Sequence, residues 1–162
     1  MNDNGNHATQ FFFIMRGANT HLDFDINLAK ERSEKNPVYY LQYAHARICG
    51  ILRNAEEKLS GVSASEYGSE KLPGNEDEIR LIKVIDRFPE EVEQSAASLE
   101  PHKIINYLNE LAESFHRFYH NNRVVDPDKP DISRARLSLC KAAGQVFRNG
   151  FEIIGVSAPD RM

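Results

Sequence analysis

From Asn36 onward, apolar residues return every three or four positions, the spacing of helices with one face turned inward. Along Asn36–Glu57 the set Leu41, His45, Ile48, Leu52 and Ala55 falls on one stripe at about 100° per residue. Asn36 can cap the first turn. Pro37 suits the first helical position, where no backbone donor is needed. The helix fades after Leu59. A second amphipathic stretch, Glu76–Phe88, offers Ile79, Leu81, Ile82, Val84, Ile85 and Phe88. Pro89 starts a short helix to about Leu99, and Pro101 starts a longer one. That one buries Ile104, Ile105, Leu108, Leu111, Ala112 and Phe115, with Phe118 and Tyr119 at its edge, and ends at Asn121-Asn122. Asp131 or Ser133 is expected to cap a last helix from Arg134 to about Ile154. Its stripe is Leu137, Leu139, Cys140, Ala143, Val146, Phe147, Phe151 and Ile154, and Gly155 is the stop.

The stretch before Asn36 is less regular. Met1–Gln10 reads as disordered at first and helix-forming from about His7. Phe11–Met15 is an apolar knot that must pack on something. Gly17, Ala18 and Asn19 break it, His21–Asp25 alternates briefly, and Asp25 can cap a short helix Ile26–Ser33. Asp23 and Asp25 form a carboxylate pair better suited to turns and caps than to catalysis. Ser60–Asn75, with three glycines, a proline and four serines, is a loop. No stretch sustains strand alternation. The pattern predicts an all-α bundle of four to five main helices.

Composition narrows the class. The 162 residues suffice for one domain with a real core. No apolar run spans a bilayer, and the N-terminus lacks the basic start of a secretory signal. Cys49 and Cys140 stand apart, which points to a reducing, cytoplasmic setting. The net charge of −4 argues against a generic nucleic-acid binder with a strongly basic surface, and no DNA partner is expected. Charge is nonetheless uneven: Glu56–Glu100 carries a net −7 and His116–Met162 a net +3.

Candidate chemistry is sparse. His116 and His120 have a metal-compatible i, i+4 spacing but no third ligand and no zinc-hydrolase glutamate, so no metal site is expected. No phosphate-cradling or dinucleotide-binding loop occurs. His45 and Cys49, also i, i+4, read as a core contact. Tyr40 and Arg47 lie nearly in line on the flank of the first long helix, with Tyr43 beside them. Such a flank is either a core edge or a platform on which an unstacked RNA base rests.

One string goes beyond periodicity. Asn36-Pro37-Val38-Tyr39-Tyr40-Leu41-Gln42-Tyr43-Ala44-His45-Ala46-Arg47-Ile48-Cys49 closely resembles the opening of the anticodon-binding (DALR-type) domain of bacterial arginyl-tRNA synthetases. Phe11–Arg16 and His21–Asp25 resemble that family's connector, Arg134–Leu139 its last-helix motif, and Gly155–Met162 its C-terminus. The resemblance implies a helical bundle that binds the tRNA(Arg) anticodon loop through Tyr40, Arg47, Tyr119 and Met162, with Asn36 and Tyr43 nearby. It implies residues 1–35 as connector and 36–162 as the anticodon-binding domain, with the catalytic domain of the same synthetase as partner. The family's His-Ile-Gly-His-type and Lys-Met-Ser-Lys-type motifs, which bind ATP, are absent. ATP and Mg therefore belong to the parent enzyme, arginine–tRNA ligase, and the chain alone is expected to be inactive and to hold no cofactor. The Phe11–Met15 knot would touch the missing catalytic domain, and in isolation lie exposed or pair with another copy. The alternative is a free-standing interaction module docking through that knot, or a truncated non-catalytic paralogue.

Overall fold

The computed structural model describes residues 3–17, 25–58 and 74–162. The predicted His21–Phe24 alternation, Asp23 and most of the Ser60–Asn75 loop lie outside them. Seven helices are described and no strand among them: α1 (Asp3–Ile14), α2 (Ile26–Lys30), α3 (Pro37–Lys58), α4 (Glu76–Asp86), α5 (Phe88–Ser98), α6 (His102–Asn121) and α7 (Pro130–Ile153). The five from α3 onward make the bundle.

Caps set the boundaries. Asp25 accepts from the amides of Asn27 and Leu28 (2.8 and 3.2 Å), and α2 stops at Lys30, short of the predicted Ser33. Asn36 accepts from Val38 N at 3.1 Å. Its amide donates to the carbonyls of Ala29 and Glu31, so one buried side chain ties the end of α2 to the start of α3. Asn75 and Glu78 form a reciprocal capping box at α4. The last helix departs from expectation. Neither Asp131 nor Ser133 caps it; it begins at Pro130, and the Ser133 hydroxyl instead bonds both the amide and the carbonyl of Asp126. Pro130 already occupies the first position, where no donor is needed. At the other end Gly155 turns left-handed (φ 68°), while Val156 N reaches Phe151 O and Gly155 N reaches Glu152 O. That is the Schellman pattern.

The core is continuous. Leu41, Ile48 and Ala55 of α3 pack with Leu108, Leu111, Phe115 and Phe118 of α6 and Leu137, Phe147 and Phe151 of α7. α1 begins at Asp3, earlier than the sequence pattern suggests. Phe11 and Phe12 are buried in this same core, which corrects the expectation of an exposed knot for these two rings; Phe13 is 61% exposed. Helical phase explains it, because consecutive residues point about 100° apart and three rings cannot share one face.

Candidate nucleic-acid interface

An open cleft of about 950 Å³ lies between the flank of α3 and the end of α6. α3 contributes Tyr40, Arg47, Ile51 and Asn54; α6 contributes His116, Tyr119 and His120; the segment 121–125 closes the far side. Tyr40 and Arg47 are two turns apart on α3 and so project the same way. Leu41 and Ile48, the residues that follow them, lock the helix into the core.

Arg47 is the centre of the ring cluster. Its Nη2 donates to the Tyr43 hydroxyl at 2.6 Å. Its guanidinium carbon lies 4.8 Å from the Tyr43 ring centre and 5.4 Å from that of Tyr119. Cations held over aromatic faces gain about 0.5–2 kcal/mol. Tyr119 is in turn stacked on buried Phe115 (6.1 Å, 19°), while 38% of its surface stays open. His116 sits 5.5 Å from the Tyr40 ring and 6.4 Å from that of Tyr43. Burial, then the Arg47 charge, holds His116 below the usual histidine range. It is therefore a neutral ring at pH 7, with one donor and one acceptor nitrogen. Burial, then Glu113 and Glu34, pushes Tyr40 up, so its hydroxyl keeps its proton.

The structure thus brings Tyr40, Tyr43, Arg47 and Tyr119 together and adds His116, which the sequence offered only as a metal candidate. Nothing in the α6 pattern marks it: its role comes from the crossing of α6 over α3. His120 lines the same cleft as His116. Asn36 is consumed by capping and does not line the cleft.

Met162 does not line it either, and 52% of its surface is open. The tail leading to it runs along a different line of α3. Gln42 donates to the Ser157 carbonyl (2.9 Å), the His45 ring meets the Pro159 carbonyl (3.0 Å), and Arg53 donates to the Asp160 carbonyl (3.1 Å). Gln42, His45, Cys49 and Arg53 lie roughly half a turn round the helix from Tyr40 and Arg47. Cys49 is pushed up to about 11 by burial and by Asp160, so it is a thiol that donates to Asp160 Oδ1 at 3.4 Å. His45, held low by burial, is neutral with Nδ1–H on Pro159. His45, Cys49 and Asp160 offer three metal-type donor atoms within 4.8 Å. However, the sulfur lies at nearly equal distances from both ring nitrogens (3.7 and 3.9 Å), so the Nε2 lone pair is not aimed at a shared centre. The three act as a latch for the tail. Sequence spacing gave His45 and Cys49 as a contact, and Asp160 arrives from the far end of the chain.

Fold and cleft together define a helical domain of the kind appended to class I synthetases. A solved Campylobacter jejuni chain, itself assigned as an arginyl-tRNA synthetase, superposes with a TM-score of 0.86 over 99% of this chain and 34% of its own, at 27% identity. A profile of the DALR anticodon binding domain matches residues 41–162, and the chain belongs to that family. The arginine–tRNA ligase of Listeria welshimeri is 48% identical over 155 residues and that of Bacillus licheniformis 50% identical over 155. In each case 96% of this chain is covered and 28% of the relative, so the chain spans a little over a quarter of their length. Among the described residues no helix is long and apolar enough to cross a membrane.

Proposed function

We propose that this chain is the anticodon reader of an arginine–tRNA ligase, in the cytoplasm, and that its cleft receives a splayed base of the tRNA(Arg) anticodon loop. The observation that carries the reading is the Arg47 guanidinium held over Tyr43 and Tyr119 in an open cleft beside Tyr40 and His116. Unstacked bases are recognised by aromatic and guanidinium planes, with polar groups placed at the base edge. Arg47 pairs with no carboxylate among the described residues, so its charge is available to RNA. Each stacked base contributes roughly 1–3 kcal/mol. Met162, on its own flank, would close over the loop from the tail side. Residues 1–35 serve as connector toward the catalytic part of the synthetase, where arginine activation with ATP and Mg takes place.

Binding of the chain to a stem-loop carrying the tRNA(Arg) anticodon, compared with one whose middle cytosine is changed, tests this. The expected result is tighter binding to the cytosine loop, weakening with salt. Equal affinity for the two loops would sink the reading. Of the Phe11–Met15 knot on which the rival interaction-module reading relies, Phe11 and Phe12 face the core and Phe13 is exposed.

A further inference from the structure

The Arg134–Leu139 motif is left unexplained by the ring cluster. Leu137 and Leu139 are core residues, and the Arg134 side chain forms a surface pair with Asp131 at 3.7 Å. Arg136 is different. Its guanidinium reaches inward, with Nε on Glu78 Oε1 at 2.7 Å, Nη2 on Asn122 Oδ1 at 2.9 Å and Nη1 on the Arg123 carbonyl at 2.9 Å. The contact with Glu78 is largely dry: 17% of the Arg136 side chain and 4% of that of Glu78 is open. A planar fork is the group that can make all three bonds at once.

Those partners are the far wall of the cleft and what stands behind it. Asn122 and Arg123 belong to the non-helical segment that closes the cleft opposite α3. The Asn122 amide donates to the Phe118 carbonyl (2.9 Å), which fixes the last turn of α6, where Tyr119 and His120 sit. Asn75 donates to Asn122 Oδ1 (2.6 Å), and its backbone amide donates to Glu78 Oε2 (2.9 Å). The near wall is a long helix set in the core, whereas residues 122–125 of the far wall lie outside any helix; Asn121 on Asp77 (2.7 Å) and Asn75 on Asn122 hold the wall toward α4, and the Arg136 cation ties it to both α4 and α7. Arg136 is itself outside the cleft.

We infer that Arg136 is a positioning residue for base selection: through Asn122 and the Arg123 carbonyl it sets the distance of the Tyr119–His120 turn and the 121–125 wall from Arg47. This rests on the RNA-reading function proposed above. An Arg136→Lys change keeps a cation opposite Glu78 but has one ammonium in place of the fork. Glu78→Gln weakens the same hold from α4, outside the cleft, and serves if the lysine variant fails to fold. Affinity for the matched and the cytosine-changed stem-loops is measured for the wild-type chain and both variants, alongside NMR of the tyrosine and histidine rings without RNA.

The expected result is a roughly tenfold loss in the ratio of the two affinities, with binding to the changed loop kept. The Tyr119 and His120 ring signals move, and those of Tyr40 do not. Folded variants with unmoved Tyr119 and His120 signals, or with both loops weakened by the same factor, overturn the positioning role and leave the reading function standing. Wild-type binding that ignores the middle base overturns both.

Discussion

The guanidinium of Arg47 lies 5.4 Å from the ring of Tyr119, although one residue belongs to α3 and the other to α6. Neither helix alone makes the ring cluster; the packing between them does. Arg47→Ala removes the charge and the plane together. It should weaken binding of the anticodon stem-loop by roughly ten- to a hundredfold and reduce preference for the middle cytosine. Arg47→Lys, a point charge without a plane, should fall between the two. A titration of stem-loop against each variant decides it, and unchanged affinity and preference in Arg47→Ala would remove Arg47 from the site.

At Gly150 of α7 an added Cβ would come within 2.7 Å of Leu108 Cδ2 on α6. Leu108 is fully buried and has little room to turn away. Gly150→Ala should therefore destabilise the bundle by about 1–3 kcal/mol despite its gain in helix propensity. Urea unfolding followed by circular dichroism measures this, and a stability equal to or above wild type would show that the crossing has slack.

Leu99 ends α5 in the left-handed region (φ 56°) with 87% of its surface in solvent. Its side chain gains little from burial and its Cβ opposes the backbone conformation, at a cost of about 1 kcal/mol. Leu99→Gly should stabilise the chain by up to that amount, read as a higher midpoint in the same unfolding experiment. A loss of stability would mean that the leucine side chain holds the α5–α6 turn.

The two inward histidines set the pH dependence. His116, under burial and Arg47, and His45, under burial and Arg148, both have folded values below the usual 6.5, while Glu34 and the Pro159 and Asp160 groups offset this in part. Above about pH 6.5 both are neutral folded or unfolded and the stability is fully present. As pH falls below that, the unfolded chain takes up protons first and stability drops, by at most about 1.4 kcal/mol per pH unit for each group. Thermal midpoints from pH 8 to pH 5 should decline below 6.5, and His116→Gln should flatten the decline. A midpoint that rises toward pH 5 would contradict the assigned direction.

Much of this was legible because it is local. The stripe Leu41, Ile48, Ala55, the Asp25 cap and the Gly155 stop depend on residues a few positions apart, where helix geometry alone decides. What was illegible is long-range. Tyr107 is buried because its hydroxyl finds the Val84 carbonyl at 2.8 Å, and Glu78 because Arg136 comes to it from α7. The Phe11-Phe12 pair read as a docking surface because no sequence rule says that α1 folds back onto the bundle. Tyr40, Tyr43 and Arg47 were placed by family resemblance and by phase, while His116 and the 121–125 wall needed the crossing of two helices.

Gln10 of α1 donates its side-chain amide to the Ile154 carbonyl at 3.2 Å, beside the turn from which the tail sets out along α3. In mechanical terms the chain is a loop whose two ends are stitched together. α1 also buries Phe11 and Phe12 in the core it shares with α3, so a load on this helix is carried together by the last turn of α7, the root of the tail and the core.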